Sequence, residues 1–174
     1  MVAENSTQRD RAIQELVDKE AIREVIVRYG RGVDRGDSEL ISSAYHPDAV
    51  DDRGFGQYTG ETIGTEMVES MLKSMVMTSH HLTTQTIHVD GDTAGAETYS
   101  IGVHRSTRDG QESRLLTSGR YIDRLERRDG EWRIIHRRAV TDMLRALSLE
   151  EETDLGPQLS RRDRDDPSYE VLRG

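Results

Sequence analysis

Three Asp-Gly dipeptides punctuate the second half of this chain: Asp90-Gly91, Asp109-Gly110 and Asp129-Gly130. Asp-Gly favours tight turns whose twist matches paired strands, because the central residues of such turns need a positive φ. The runs around them alternate apolar and polar side chains: Gln85 to Val89, Thr93 to Arg108, Gln111 to Arg127 and Glu131 to Val140. A period of two between turn signals predicts strands. Together they predict a meander of about four antiparallel strands.

The first half carries a different period. Ile22, Val25, Ile26, Tyr29 and Val33 fall on one stripe of a helix within Asp10 to Asp34, with a second helical start expected at Asp18. Asp37 caps an expected short helix to Tyr45, and His46-Pro47 ends it, since a residue before proline avoids the helical region. Asp51 to Gly60, with three glycines, reads as a turn with a short strand. Thr62 to Thr78 reads as helix, its Met67, Met71, Met75 and Leu72 spaced to pack on a core or line a pocket. Helices followed by a meander define an α+β domain with the helices on one face of a curved sheet. Residues 1–146 form this domain. Residues 147–174, rich in charge around Arg161 to Asp166, are expected to be mobile or to wrap a neighbouring subunit.

Composition narrows the partners. Lys plus Arg number 24 against 33 Asp plus Glu, a net charge of −9. That balance argues against nucleic acid and anionic membrane as partners. No apolar run reaches the roughly 20 residues that span a bilayer. The first residues lack the pattern of a secretory signal, so a cytoplasmic location is expected. The absence of cysteine excludes thiolate catalysis and Cys-ligated metals. Only 33% of the 174 residues are hydrophobic, which fits a small core or a further face buried between copies.

The candidate chemistry lies among histidines and carboxylates. His80 and His81 are adjacent, so on a strand they face opposite ways and suit a metal poorly. Regular alternation places His81 inward with Ile87 and Val89, and His80 outward. Inside, His81 is either a hydrogen-bonded core histidine or a base. Asp34, at the C-terminal end of the helix where the dipole disfavours it, is either solvated or the partner of that histidine. Gly30 and Gly32 would let another element approach. Tyr29 lies on the apolar stripe. Alternation also turns Tyr99 inward, and it favours Arg138 over Arg137 for the interior. Tyr58, Tyr121 and Asp123 are further candidates.

Several segments in order resemble the SnoaL-like group of the nuclear transport factor 2-like superfamily. They are Glu20 to Asp34, Tyr45 to Gly54, Ser79 to Leu82, Val89 to Ala94, Gly119 to Tyr121 and Arg128 to Ile134. The resemblance spans roughly Gln14 to Met143. It implies a cone-shaped α+β barrel, with N-terminal helices packed in a strongly curved antiparallel sheet around an apolar pocket. It also implies cofactor-independent elimination by an Asp–His dyad, which maps onto Asp34 and His81. Tyr29 and an arginine complete the resemblance. The arginine is Arg137 by counting from the Asp-Gly-x-Trp turn, which a strand bulge would reconcile with the alternation that favours Arg138. The expected activity is a dehydratase-type lyase on a small apolar cyclic or polycyclic molecule, with Tyr99, Tyr58, Met71, Arg138 and Tyr121 contacting it and no cofactor or metal. An isomerase or polyketide cyclase, a non-catalytic binding protein and an assembly subunit are the alternatives. A homodimer or homotrimer is expected.

Overall fold

The computed structural model describes residues 2–54, 56–147 and 161–172, with side chains described from residue 7. A long helix α1 (Val2–Arg35) leads into α2 (Ser38–Ser42), then β1 (Tyr45–Asp52), β2 (Gln57–Thr59) and α3 (Ile63–Glu69). The meander follows as β3 (Met75–Asp90), β4 (Thr93–Arg108), β5 (Gln111–Arg128) and β6 (Glu131–Ala146), with α4 (Ser168–Val171) near the C-terminus. The strands form one curved, unclosed sheet in the order β2-β1-β6-β5-β4-β3. The four meander strands pair antiparallel as expected, whereas β1 joins β6 in parallel.

The turns behave as their residues demand. Asp109 and Gly110 both take positive φ, as do Asp129 and Gly130. At the first hairpin the turn is displaced by one residue: Asp90 pairs with Thr93, and Gly91 takes the positive φ.

The stripe Ile22, Val25, Ile26, Tyr29 and Val33 is buried against the sheet, at most 3% exposed. No helix start occurs at Asp18. Instead Asp18 is buried in mid-helix, accepting from Trp132 Nε1 at 3.1 Å and from Arg127 at 2.6 Å. Asp37 caps α2 by accepting from the Leu40 N–H at 3.1 Å. This helix stops at Ser42, and Tyr45 opens β1 rather than closing a helix. Its approach to α1 requires Gly32, where a Cβ would lie 2.8 Å from the Ile41 nitrogen.

The expected helix from Thr62 to Thr78 is overturned in its second half. Chain from Met75 onward pairs with β4, because Val76 and Thr78 are β-branched and the long neighbouring strand offers a full ladder. Among the described residues, no helix is long and apolar enough to cross a membrane.

Residues 161–172 pack on their own chain, against the end of α1 and the start of α2. The linking residues 148–160 of the expected extension lie outside the described residues.

Candidate active site

Asp34 stands on the last turn of α1, and β3 runs beside it. Its carboxylate meets His80 twice: Oδ2 accepts from the His80 backbone N–H at 2.9 Å, and Oδ1 lies 2.6 Å from Nδ1. A carboxylate can only accept, so the Nδ1 proton faces Asp34, and in the neutral ring Nε2 carries the lone pair. Both side chains are largely buried, with 16% and 11% of their surface exposed.

His81 was the expected partner, and here the structure corrects the sequence reading. His81 is exposed, and among the described residues its ring makes a single hydrogen bond, to the Ser79 hydroxyl at 3.2 Å. The cause is a bulge in β3. Leu82 pairs with Ser100 but Gln85 with Thr98, so Thr83 and Thr84 together oppose the single residue Tyr99. An extra residue inverts the facing of everything before it. Ile87 and Val89 point inward as expected, yet upstream it is Leu82, His80 and Thr78 that share their face. Gly30 is not needed for the approach of β3 to α1: a Cβ there would sit 3.4 Å from Leu82 and 4.0 Å from the His80 Cβ, ordinary contact distances.

A second bulge decides between the two arginines. Leu125 pairs with Ile134 but Arg124 with His136, leaving Ile135 as the additional residue. Arg137 therefore turns inward and Arg138 outward. Arg138 is exposed, 3.6 Å from Asp52, and takes no part in the pocket. Arg137 is fully buried. It donates to both carboxylate oxygens of Asp123 at 2.7 Å and to the Tyr45 hydroxyl at 3.2 Å. Its guanidinium lies 4.3 Å from the ring centres of both Tyr29 and Tyr121. Burial opposes its charge, but Asp123, Tyr45 and Tyr29 together outweigh that, so its pKa is raised. It braces the cavity from behind and does not line it.

The cavity beside the dyad holds about 520 Å³. Val33, Met67, Met71, Leu72 and Met75 form much of its apolar wall, and Tyr29, Tyr121, His80, His104 and Arg53 supply polar groups. Tyr29, Met71 and Tyr121 thus line the cavity, whereas Asp34 does not line it and reaches it only through His80. Tyr99 does not: it is 44% exposed on the outer face, because β4 turns its small residues, Ala94, Ala96 and Thr98, toward the core. Tyr58 packs on the core from β2 and lies away from the cavity.

Sequence reasoning missed two residues. Arg53 just follows β1 and is gripped by Asp51 at 2.5 and 2.9 Å while donating to the Tyr29 hydroxyl. Ala49, Asp51 and Arg53 share a parity, a signal hidden once this stretch is read as a turn. His104 is the second. Its ring stands edge-on to His80 at 5.5 Å. Its Nε2 lies 3.2 Å from Thr117 Oγ1, and that hydroxyl donates in turn to the Gly102 carbonyl at 3.3 Å. Nε2 must then carry the proton. Nδ1 is left as a buried acceptor without a protein partner among the described residues. Gly102 makes the space, since a Cβ there would come within 2.5 Å of both His104 and Thr117. Burial, reinforced by His80, pushes the His104 pKa down to about 4.

A curved sheet over a long helix, with a carboxylate and an imidazole joined at the wall of an apolar cavity, defines a cone-fold small-molecule site. The chain belongs to the SnoaL-like domain family, whose model matches residues 14–138. Among solved structures, a hexachlorocyclohexane dehydrochlorinase (LinA, type 2) aligns with TM-score 0.76 and 19% identity, over 84% of this chain and 99% of that one. A provisionally assigned scytalone dehydratase from Novosphingobium aromaticivorans gives 0.69 and 21%, over 84% and 99%. A provisionally assigned aromatic ring hydroxylase, also from Novosphingobium aromaticivorans, gives 0.68 and 25%, over 76% and 94%. No protein of curated function matches the chain by sequence.

Proposed function

We propose that this protein is a cofactor-independent lyase of the dehydratase type, acting on a small, mostly apolar cyclic molecule. The observation that carries the reading is the double contact of Asp34 with His80 at the cavity wall. In this reading Nε2 of His80 removes a proton made acidic by a neighbouring carbonyl or leaving group. Asp34 holds the ring in one tautomer and balances the imidazolium that forms. The Tyr29 hydroxyl, backed by Arg53, donates to the oxygen or leaving group where negative charge develops. Arg53 takes the part first given to Arg137, because Arg53 lines the cavity and Arg137 is sealed behind it. The structural likeness to a dehydrochlorinase and an assigned scytalone dehydratase supports an elimination.

The test is mass spectrometry of hydroxylated cyclic ketones incubated with the protein. Loss of one water, abolished in Asp34→Asn and His80→Ala, supports the lyase. An unchanged mass with a shifted double bond favours the isomerase, and retention without product favours a binding protein. Full activity in both variants rules the mechanism out.

A homodimer or homotrimer is part of the same proposal. Tyr99, Ile101, Ile122 and Met143 expose apolar surface on the outer face of the sheet, and patches of this kind mark association surfaces.

A further inference from the structure

We propose that residues 161–172 form a strap that belongs to the site, with Arg162 as a positioning residue for the Asp34–His80 pair. The guanidinium of Arg162 bridges the two elements that carry the pair. It donates to the Val33 carbonyl at 3.0 Å and to the Met75 carbonyl at 2.9 Å. Val33 directly precedes Asp34, and Met75 opens the strand that bears His80. The Val33 carbonyl also accepts from the Thr78 hydroxyl at 3.4 Å, two residues before His80. Carbonyls at a helix C-terminus lack partners within the helix, and a cation there is favourable. Arg162 thus closes the end of α1 and staples it to β3 at the point where the carboxylate must face the imidazole.

The strap is held in place by its own contacts. Tyr169 is buried and donates to Asp37 Oδ2 at 2.7 Å, the same carboxylate that caps α2. Arg31 lies 4.4 Å over the Tyr169 ring. Arg35 meets Asp166 at 3.2 Å, and Asp166 in turn accepts from the Ser168 backbone and hydroxyl. These contacts fall on the end of α1, the start of α2 and the start of β3. Tyr169 is the one buried apolar side chain of the described strap, so the strap adds little to the core. What it adds is a rigid link across the dyad. The positive charge of Arg162 also acts on Asp34 and helps keep His104 neutral.

The catalytic arm of the test rests on the lyase reading; the spectroscopic arm does not. In the full chain, Arg162→Ala is compared with Arg162→Lys and with Arg161→Ala, whose side chain, among the described residues, reaches Asp163 and Asp165 alone. Proton and nitrogen NMR of the histidine rings reads the His80 Nδ1 proton held by Asp34. In Arg162→Ala that proton is expected to lose its protection from exchange and the His104 titration to move up. The kcat is expected to fall by up to roughly 10²-fold, the scale of a misplaced reacting group, with KM little changed. Arg162→Lys restores part of each effect, and Arg161→Ala changes none. An unaltered Nδ1 signal and kcat in Arg162→Ala overturns the proposal. So does loss of fold in both Arg162 variants, which would make the residue merely structural. If the wild type converts nothing but Arg162→Ala still frees the Nδ1 proton, the positioning role stands and the lyase reading falls.

Discussion

At the scale of single residues, the site depends on groups that are paired rather than merely present. Asp34→Asn keeps the shape of the carboxylate but removes its charge and gives it a donor facing Nδ1. Turnover is expected to fall by roughly 10²–10⁴-fold, the usual share of acid–base help, with the far-ultraviolet spectrum unchanged. His81→Ala, one position along, should leave steady-state rates as they are. Arg137 has a different cost. Arg137→Met would strand Asp123 in a site with no exposure. Breaking a buried pair in this way costs about 3–5 kcal/mol, to be read as a lowered midpoint in urea. Replacing both partners with apolar residues should cost much less. Asp34 and Tyr29 could be picked out from sequence because each violates a local rule: one is an acid at the wrong helix end, the other a hydroxyl on an apolar stripe. His104 and Arg53 break no such rule and gain meaning only from what faces them.

At the scale of elements, two bulges determine which side chains see the cavity. The four meander strands were readable because Asp-Gly turns and a period of two are local properties. Facing across a whole strand is not, since one additional residue reverses it. The pairing of Thr83 and Thr84 opposite Tyr99 costs β3 its expected parity. Deleting Thr84 should remove the bulge yet leave Leu82, His80 and Thr78 on the inner face, because Thr83 alone would then oppose Tyr99, so His80 stays against Asp34 and His81 stays outside. The expected outcome is a folded sheet by circular dichroism with the protected Nδ1 proton retained; its loss would show that the bulge does not set the facing. In β6 the corresponding irregularity lies at Ile135 and turns Arg137 inward, as the count from the Asp-Gly-x-Trp turn implied. The second half of the expected methionine helix failed for a related reason. Met67, Met71 and Met75 still reach one cavity, but from a helix, a turn and a strand in succession.

At the scale of the whole molecule, stability and pH are linked through the buried imidazole. His104 has its pKa lowered from 6.5 to about 4, so the folded state resists a proton that the unfolded chain accepts. Its contribution is complete above pH 6.5 and is lost as pH falls toward about 4. Urea unfolding across that window should show the decline, and His104→Gln should flatten it. The strap responds at lower pH. Asp166 is held at about 2 by Ser168 and the Arg161 backbone, so its contribution is lost as pH falls from 3.8 toward about 2. Association is testable at the same scale. Ile101→Lys with Ile122→Glu, on the outer face of the sheet, should lower the mass seen by light scattering if copies meet there.

The amino-acid sequence alone determined the four-strand meander and its turns, the apolar stripe of α1 and the family, because these rest on neighbours within a few residues. It also brought Asp34, Tyr29, Met71 and Tyr121 to the candidate site. Only the tertiary structure decided that His80 rather than His81 meets Asp34, that Arg53 lines the cavity while Arg137 braces it, and that Tyr99 and Arg138 face away. The histidine and arginine facings depend on bulges that leave no local mark in the chain, and the others on which face of a strand meets the helix, which only partners distant in sequence decide.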